Sequence, residues 1–326
     1  MQISTEQNTT ESICVILNPK AGNGQAGEQQ PLIESLLQQH FQTWQLFRTQ
    51  YPKHATILAH ENGPKFDIVA VVGGDGSCHE VCNGLMKLPL EQRPVFTVLP
   101  FGTGGDFRKS LNIPKKLSVA MGIAANGENK VIDVGLAKIT LDKGPEDRYF
   151  LNVAGFGANG EVAEKSNKWS KKLGGKVTFL NATIHTTFTY HPPKVHLSWK
   201  QISDDENTQR EWSGEMLSCF IANATYCGGG MQVAPKNALG DGLLHLRLLP
   251  KMPVANQLFH LPKLYNDTIH QVPNTLSEVL TELKAAPAKG AIVQIDLDGE
   301  LSGRLPAHFS LCKNALTVRG VWKKND

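Results

Sequence analysis

The chain has 326 residues, enough for two domains with full cores, and its 40% hydrophobic and 19% charged residues describe an ordinary globular protein. A formal net charge of +3 is too mild to demand nucleic acid, and none is expected as a partner. An anionic nucleotide or a membrane surface is compatible with it.

The six cysteines are dispersed without zinc-type pairs, so reduced thiols and a cytoplasmic setting are the expectation. Residues 1–12 are polar and do not read as a signal peptide. No run approaches the ~18 apolar residues that a spanning helix needs, so any membrane contact is expected to be peripheral.

In chain order, residues 13–17 predict a first, β-branched strand that ends in the polar, glycine-rich turn Asn18-Pro19-Lys20-Ala21-Gly22-Asn23-Gly24. Residues 29–39 place Leu32, Ile33, Leu36 and Leu37 at helical spacing. Residues 44–49 predict a second strand, 54–59 a helix and 67–72 a third strand. This alternation predicts an α/β fold with a parallel sheet, whose ligands sit beyond the carboxyl ends of the strands.

The third strand runs into Gly73-Gly74-Asp75-Gly76-Ser77, and a helix is expected to take over by His79. Three glycines in four positions let successive N–H groups face one concavity, and a helix N-terminus adds partial positive charge. That combination predicts a phosphate site. Asp75 belongs beside phosphate only if a divalent cation stands between them. A fourth strand at 95–99 opens into Pro100-Phe101-Gly102-Thr103-Gly104-Gly105-Asp106-Phe107, a third glycine-rich turn at the same end. A helical turn at 107–111 and a helix at 117–125 follow.

After Lys130 the pattern changes to short runs at 132–139, 150–154, 194–199, 216–223, 243–249, 291–297 and 307–311. They predict an antiparallel second domain. Residues 142–147 and 155–160 read as turns. Two helical stretches are expected. One covers 161–190, with Lys165, Lys168, Lys171, Lys172 and Lys176 around Trp169. The other covers 253–283 and either borders a lipid-sized pocket or packs on the sandwich. Asn237-Ala238-Leu239-Gly240-Asp241-Gly242-Leu243 and Asp296-Leu297-Asp298-Gly299-Glu300 each set carboxylates in a tight turn. Either alone reads as a hairpin signal.

Taken in order, these motifs resemble the diacylglycerol kinase catalytic-domain superfamily, which includes sphingosine and ceramide kinases. The likeness is strongest to its small bacterial lipid kinases. It rests on Asn18-Pro19-x-x-Gly22, Gly73-Gly74-Asp75-Gly76-Ser77, Pro100-x-Gly102-Thr103-x-x-Asp106-Phe107, Asn152-x-x-Gly155-x-Gly157, Gly240-Asp241-Gly242 and Asp298-Gly299-Glu300. The resemblance implies a nucleotide-binding α/β domain at 1–134, with a tail at 312–326 packing back on it, and a β-sandwich acceptor domain at 135–311.

It further implies a kinase that transfers the γ-phosphoryl group of ATP to a hydroxyl of a diacylglycerol-like or sphingoid lipid, with Mg²⁺ as cofactor. Asn18, Thr49, Gly73, Gly74, Asp75, Gly76, Ser77, His79 and Thr103 would meet the nucleotide. Asp75 would hold the catalytic Mg²⁺, and Glu300 would accept the hydroxyl proton. Ala238, Asp241 and Leu243 would hold a second, structural Mg²⁺. Asp298 would either position Glu300 or bind metal through water. No lysine follows the glycines as in a Walker loop.

Two positions depart from the family pattern. Ser77 replaces Thr and keeps the hydroxyl, whereas Gly105 replaces an Asn and removes an amide. A kinase of a soluble acceptor resembling NAD kinase, and a module that binds nucleotide or lipid without transfer, are the alternative readings. Oligomeric state stays open.

Overall fold

The computed structural model describes residues 9–102, 105–141, 144–168, 175–200 and 209–322. Thr103, Trp169, Lys171 and Lys172 therefore lie outside the described residues. The chain divides into two compact units, residues 1–132 with 314–326, and residues 133–313.

The first unit alternates strands and helices. Its elements are β1 (Ile13–Leu17), α1 (Gln25–Glu28), α2 (Gln30–His40), β2 (Trp44–Arg48), α3 (His54–Asn62), β3 (Ile68–Gly73), α4 (Asp75–Leu85), β4 (Val95–Pro100), α5 (Asp106–Ser110) and α6 (Leu117–Asn126). Every residue of β1 and β3 is buried. Strands covered on both faces need apolar, largely β-branched residues throughout, which is why these runs do not alternate. β1 pairs in parallel with β2 and β3, and β3 with β4. Beside β4, Val318 joins in parallel opposite Phe96, and the Thr97 hydroxyl donates to the Arg319 carbonyl at 3.0 Å. Helices α3 and α4 approach closely because residue 84 is glycine: a Cβ there would lie 2.4 Å from the Thr56 carbonyl oxygen.

The second unit follows with β5 (Glu128–Leu141, which begins in the first), β6 (Gly144–Phe150), β7 (Val153–Gly157), α7 (Ala158–Lys168), α8 (Gly175–Thr189), β8 (Lys194–Lys200), β9 (Gln209–Ala222), β10 (Tyr226–Cys227), β11 (Met231–Gln232), β12 (Leu244–Pro250), α9 (Val254–His260), β13 (Leu276–Leu280), β14 (Glu282–Pro287), β15 (Gln294–Leu297) and β16 (Glu300–Gly320, which ends in the first). Antiparallel pairings run β9–β8–β14–β16–β15–β7 and back to β9. The long strands β9 and β16 each bond to different partners along their length, which closes a ring, with β12–β13 and β5–β6 pairing outside it. Phe150, Phe156, Trp199, Ile295, Leu297 and Phe309 belong to one buried cluster.

Several expected elements move. Residues 144–147 are strand rather than turn, and Phe150 ends β6 while β7 begins only at Val153. Residues 158–160 already belong to α7. The stretch 253–283 is helical to Leu264 and in one further 3-10 turn at Ile269–Gln271, and its later part holds β13 and the start of β14. There Leu283-Lys284-Ala285 alternates buried and exposed with period two, which a long helical window hides. Residues 307–311 are the middle of β16.

Candidate active site

In the first unit, the carboxyl ends of β1, β3 and β4 carry the three glycine-rich turns. Asn18 leaves β1 with its N–H donated to the Val72 carbonyl at 3.0 Å, and its side-chain amide donates to the Ser77 hydroxyl at 3.2 Å. Thr49, just past β2, donates its N–H to the Leu17 carbonyl at 2.8 Å. Gly73 must lack a side chain, since a Cβ would meet the Ser77 hydroxyl at 2.4 Å. Helix α4 starts at Asp75, earlier than expected, with extended Gly74 as its cap and a first intrahelical bond from the Cys78 N–H to the Gly74 carbonyl. The N–H groups of 75–77 therefore occupy the first turn, where no helical carbonyl precedes them. His79 lies one turn on and is buried, and the Asn83 amide donates to its carbonyl at 2.9 Å.

Asp75 joins two of the turns. One carboxylate oxygen accepts the Gly105 N–H at 2.8 Å and the other the Phe107 N–H at 3.0 Å, which caps α5. Burial, aided by the neighbouring Asp106 carboxylate, pushes Asp75 up to about 6. Asp106 is itself ion-paired to Lys109 at 2.7 Å. Gly105 has φ +79, a left-handed conformation that glycine takes freely and asparagine more readily than other residues, so its place in an Asn position is conformationally coherent. A cleft of about 290 Å³ opens here, lined by Gly73, Gly74, Asp75, Gly102, Arg108 and Lys115 among others.

In the second unit, Ala238, Asp241 and Leu243 share one turn. The Asp241 N–H donates to the Ala238 carbonyl at 3.1 Å. Its carboxylate accepts the Leu243 N–H at 2.9 Å and lies 2.8 Å from His245 Nε2. The buried Asp133 accepts the Gly242 N–H at 2.8 Å.

Asp298 (φ +54) and Gly299 (φ +87) form the two-residue turn between β15 and β16, both in the left-handed region such hairpins use. The Asp298 carboxylate accepts three N–H groups, from Leu151 (2.9 Å), Asn152 (2.7 Å) and Val153 (3.2 Å). It anchors the β6–β7 corner under the hairpin, a role that neither expectation for Asp298 included. Glu300 opens β16, exposed, opposite Leu297.

Asp296, between core residues Ile295 and Leu297, faces the other way. Its Oδ1 is sealed and without a hydrogen-bond partner, 2.5 Å from where a Cβ on Gly155 would sit. Together with Gly299 it lines a cavity of about 120 Å³ walled by Ala158, Val162, Leu217, Phe220, Leu249 and Leu264. Burial, with smaller contributions from Asp298 and Glu300, pushes Asp296 up to about 7. The unfolded carboxyl ionises near 4, so this group lowers stability progressively from about pH 4 to 7, and the full penalty stands above that. Asp296→Asn is expected to raise Tm at pH 8, with the two melting curves converging by pH 4.

Asp106, Arg108, Lys115, Asp133 and Asp296 were not among the expected site residues. For Asp133 a signal existed, since it is a lone acid inside an apolar run, and for Asp296 its place between Ile295 and Leu297 at the head of the 296–300 motif. Among the described residues no group of three or more His, Cys, Asp or Glu is arranged to hold a metal. Magnesium needs fewer: one or two carboxylates, completed by phosphates, waters or carbonyls. Asp75 beside Asp106 meets that requirement, and a cation would relieve the repulsion between them. The 238–243 turn offers one carboxylate and two carbonyls, an all-oxygen set of the kind a hard cation takes.

Residues 12–137 match the family profile of the diacylglycerol kinase catalytic domain, and residues 152–320 that of the YegS C-terminal NAD kinase beta sandwich-like domain. A "probable lipid kinase YegS-like" of Serratia proteamaculans (strain 568) is 32% identical over 253 residues, covering 76% of this chain and 74% of that protein. One of the same description from Yersinia pseudotuberculosis serotype I (strain IP32953) is 30% identical over 256 residues, 76% of each. A crystal structure of a diacylglycerol kinase from Bacillus anthracis str. Sterne superposes with a TM-score of 0.73 at 24% identity, over 96% of this chain and 98% of that one, a likeness of fold.

Proposed function

The chain belongs to the YegS-like family of lipid kinases with a diacylglycerol kinase catalytic domain, and from that premise we propose that it moves the γ-phosphoryl group of ATP to a hydroxyl of a diacylglycerol-like or sphingoid lipid. The observation that carries the reading is the Asp75 clamp: a carboxylate seated among glycine turns and first-turn N–H groups of a helix, beside a cleft that also holds Arg108 and Lys115. Phosphoryl transfer needs positioning and neutralised oxygens more than covalent help from the protein.

In this reading the Gly73–Ser77 backbone holds the phosphates. Asn18 locks Ser77, Thr49 borders the nucleotide, and Thr103 would contact the phosphates. Asp75, with Asp106 beside it, would hold Mg²⁺, which neutralises phosphate oxygens when bound. Glu300 takes the acceptor's proton. The apolar cavity beside Gly299 favours a lipid over a polar acceptor such as NAD.

Incubation with ATP, Mg²⁺ and a mixed lipid extract should yield a phosphorylated lipid. Label transferred to NAD and to no lipid would overturn the assignment.

The 238–243 turn would hold the second Mg²⁺ through Asp241 and the carbonyls of Ala238 and Leu243. Adding a chelator is then expected to lower the Tm of the wild type by a few degrees and to leave Asp241→Ala unchanged, as read by scanning calorimetry.

A further inference from the structure

Several polar side chains on the wall of the second unit's apolar cavity are already engaged. The Asn159 amide donates to the Cys219 carbonyl at 3.0 Å, the Thr187 hydroxyl to the Thr183 carbonyl at 2.9 Å, and the Gln257 amide to the Met252 carbonyl at 3.0 Å. Two residues of the wall keep a sealed side-chain atom with no hydrogen-bond partner: Asp296 at Oδ1 and His260 at Nδ1. His260 comes from α9. Asp296 comes from the β15–β16 hairpin, where it pairs with Leu301, the residue after Glu300. Burial raises the Asp296 carboxyl most, and the Glu300 charge is near enough to add to that.

A carboxyl in this place is costly. An unpaired polar atom in an apolar wall forfeits its hydrogen bonds to water, and the group costs the fold stability once ionised. The space for it exists because residue 155 is glycine, since a Cβ there would lie 2.5 Å from Asp296 Oδ1. A group that lowers stability while lining a ligand cavity is a candidate for binding that ligand. Its missing partner is then a donor on the ligand. In the lipid kinase reading Glu300 serves the hydroxyl that receives phosphate, so the donor to Asp296 is a second one on the same headgroup. A diacylglycerol has a single free hydroxyl, its other two oxygens being esterified. A monoacylglycerol has a second hydroxyl, and a sphingoid base has a second hydroxyl and an ammonium.

We propose that Asp296 determines acceptor specificity: it takes a hydrogen bond from a second donor, hydroxyl or ammonium, beside the hydroxyl that is phosphorylated, and so selects monoacylglycerol-like or sphingoid lipids over diacylglycerols. This rests on the lipid kinase reading for which hydroxyl reacts, but its test needs no turnover. The full-length protein is titrated calorimetrically, without nucleotide, with short-chain lipids dissolved as monomers: a monoacylglycerol, a sphingoid base and a diacylglycerol of matched carbon number. The wild type should bind each of the first two at least about tenfold more tightly than the diacylglycerol. Asp296→Ala should erase both preferences, because no acceptor is left to satisfy. Asp296→Asn keeps an accepting oxygen without the charge, so it should hold the monoacylglycerol preference and lose most of that for the ammonium, which separates the two sources of the second donor. Both variants remove a buried carboxyl, and their melting curves show whether the fold is kept.

Equal affinity of the wild type for all three lipids, binding of none of them, or a preference that survives Asp296→Ala overturns the proposal. The expected preference in binding, with no transfer from ATP to any of the three when Mg²⁺ is added, would overturn the kinase reading and leave Asp296 as the selector of a bound lipid.

Discussion

Glu300→Gln is expected to lower kcat by about 10²–10⁴-fold, the range a positioned general base supplies, with little change in the KM for ATP. The substitution keeps the volume and a carbonyl oxygen but removes the carboxylate proposed to accept the hydroxyl proton. Residue 300 is exposed at the start of β16, and the hairpin before it is fixed by Asp298 and Gly299 rather than by Glu300 itself. The fold should therefore tolerate the change, and an unchanged melting temperature with a collapsed rate is the signature. Equal rates for variant and wild type on the lipid acceptor would remove Glu300 from the chemistry.

Asp75→Ala is expected to cost at least ~10²-fold in rate. It should also lower stability by about 1–3 kcal/mol, because the N–H groups of Gly105 and Phe107 lose their acceptor. Asp75→Asn separates the two effects. Its amide oxygen retains one acceptor, so stability should fall less, while the loss of charge leaves the rate as low as in the alanine variant. Denaturant unfolding alongside steady-state kinetics reads both. A rate loss that disappears in Asp75→Asn would make Asp75 a loop clamp and nothing more.

The first unit is legible from its residues because burial on both faces writes itself into composition. Val69 to Val72 has no alternative to a central strand, and the glycine turns at 22, 73–76 and 102–105 mark where strands stop. The second unit is harder to read. Its strands alternate, and β13 and β14 follow so closely on a helix that an eleven-residue window averages their period away.

At the site, what sequence hides is partnership over distance. Asp298 is spoken for by N–H groups of residues 151–153, and no spacing rule reaches that far. Asp296 is perturbed by burial against Gly155, which strand pairing brings to it. Helix α8 is illegible for the opposite reason: its apolar period is plain, but a period does not say that Val177, Leu180, Ile184 and Phe188 meet water.

Residues 314–320 have a consequence for biosynthesis. They lie against β4, supplying the Arg319 carbonyl to Thr97 and the Ala315 carbonyl to Arg93. A ribosome delivers β1 to β4 early and this last stretch more than two hundred residues later. Until then the nascent chain carries an unsaturated β4 margin, exposed to stray pairing with other polypeptides. Expressing 1–132 by itself should thus give an aggregating fragment, and adding a peptide that spans 314–322 should rescue it.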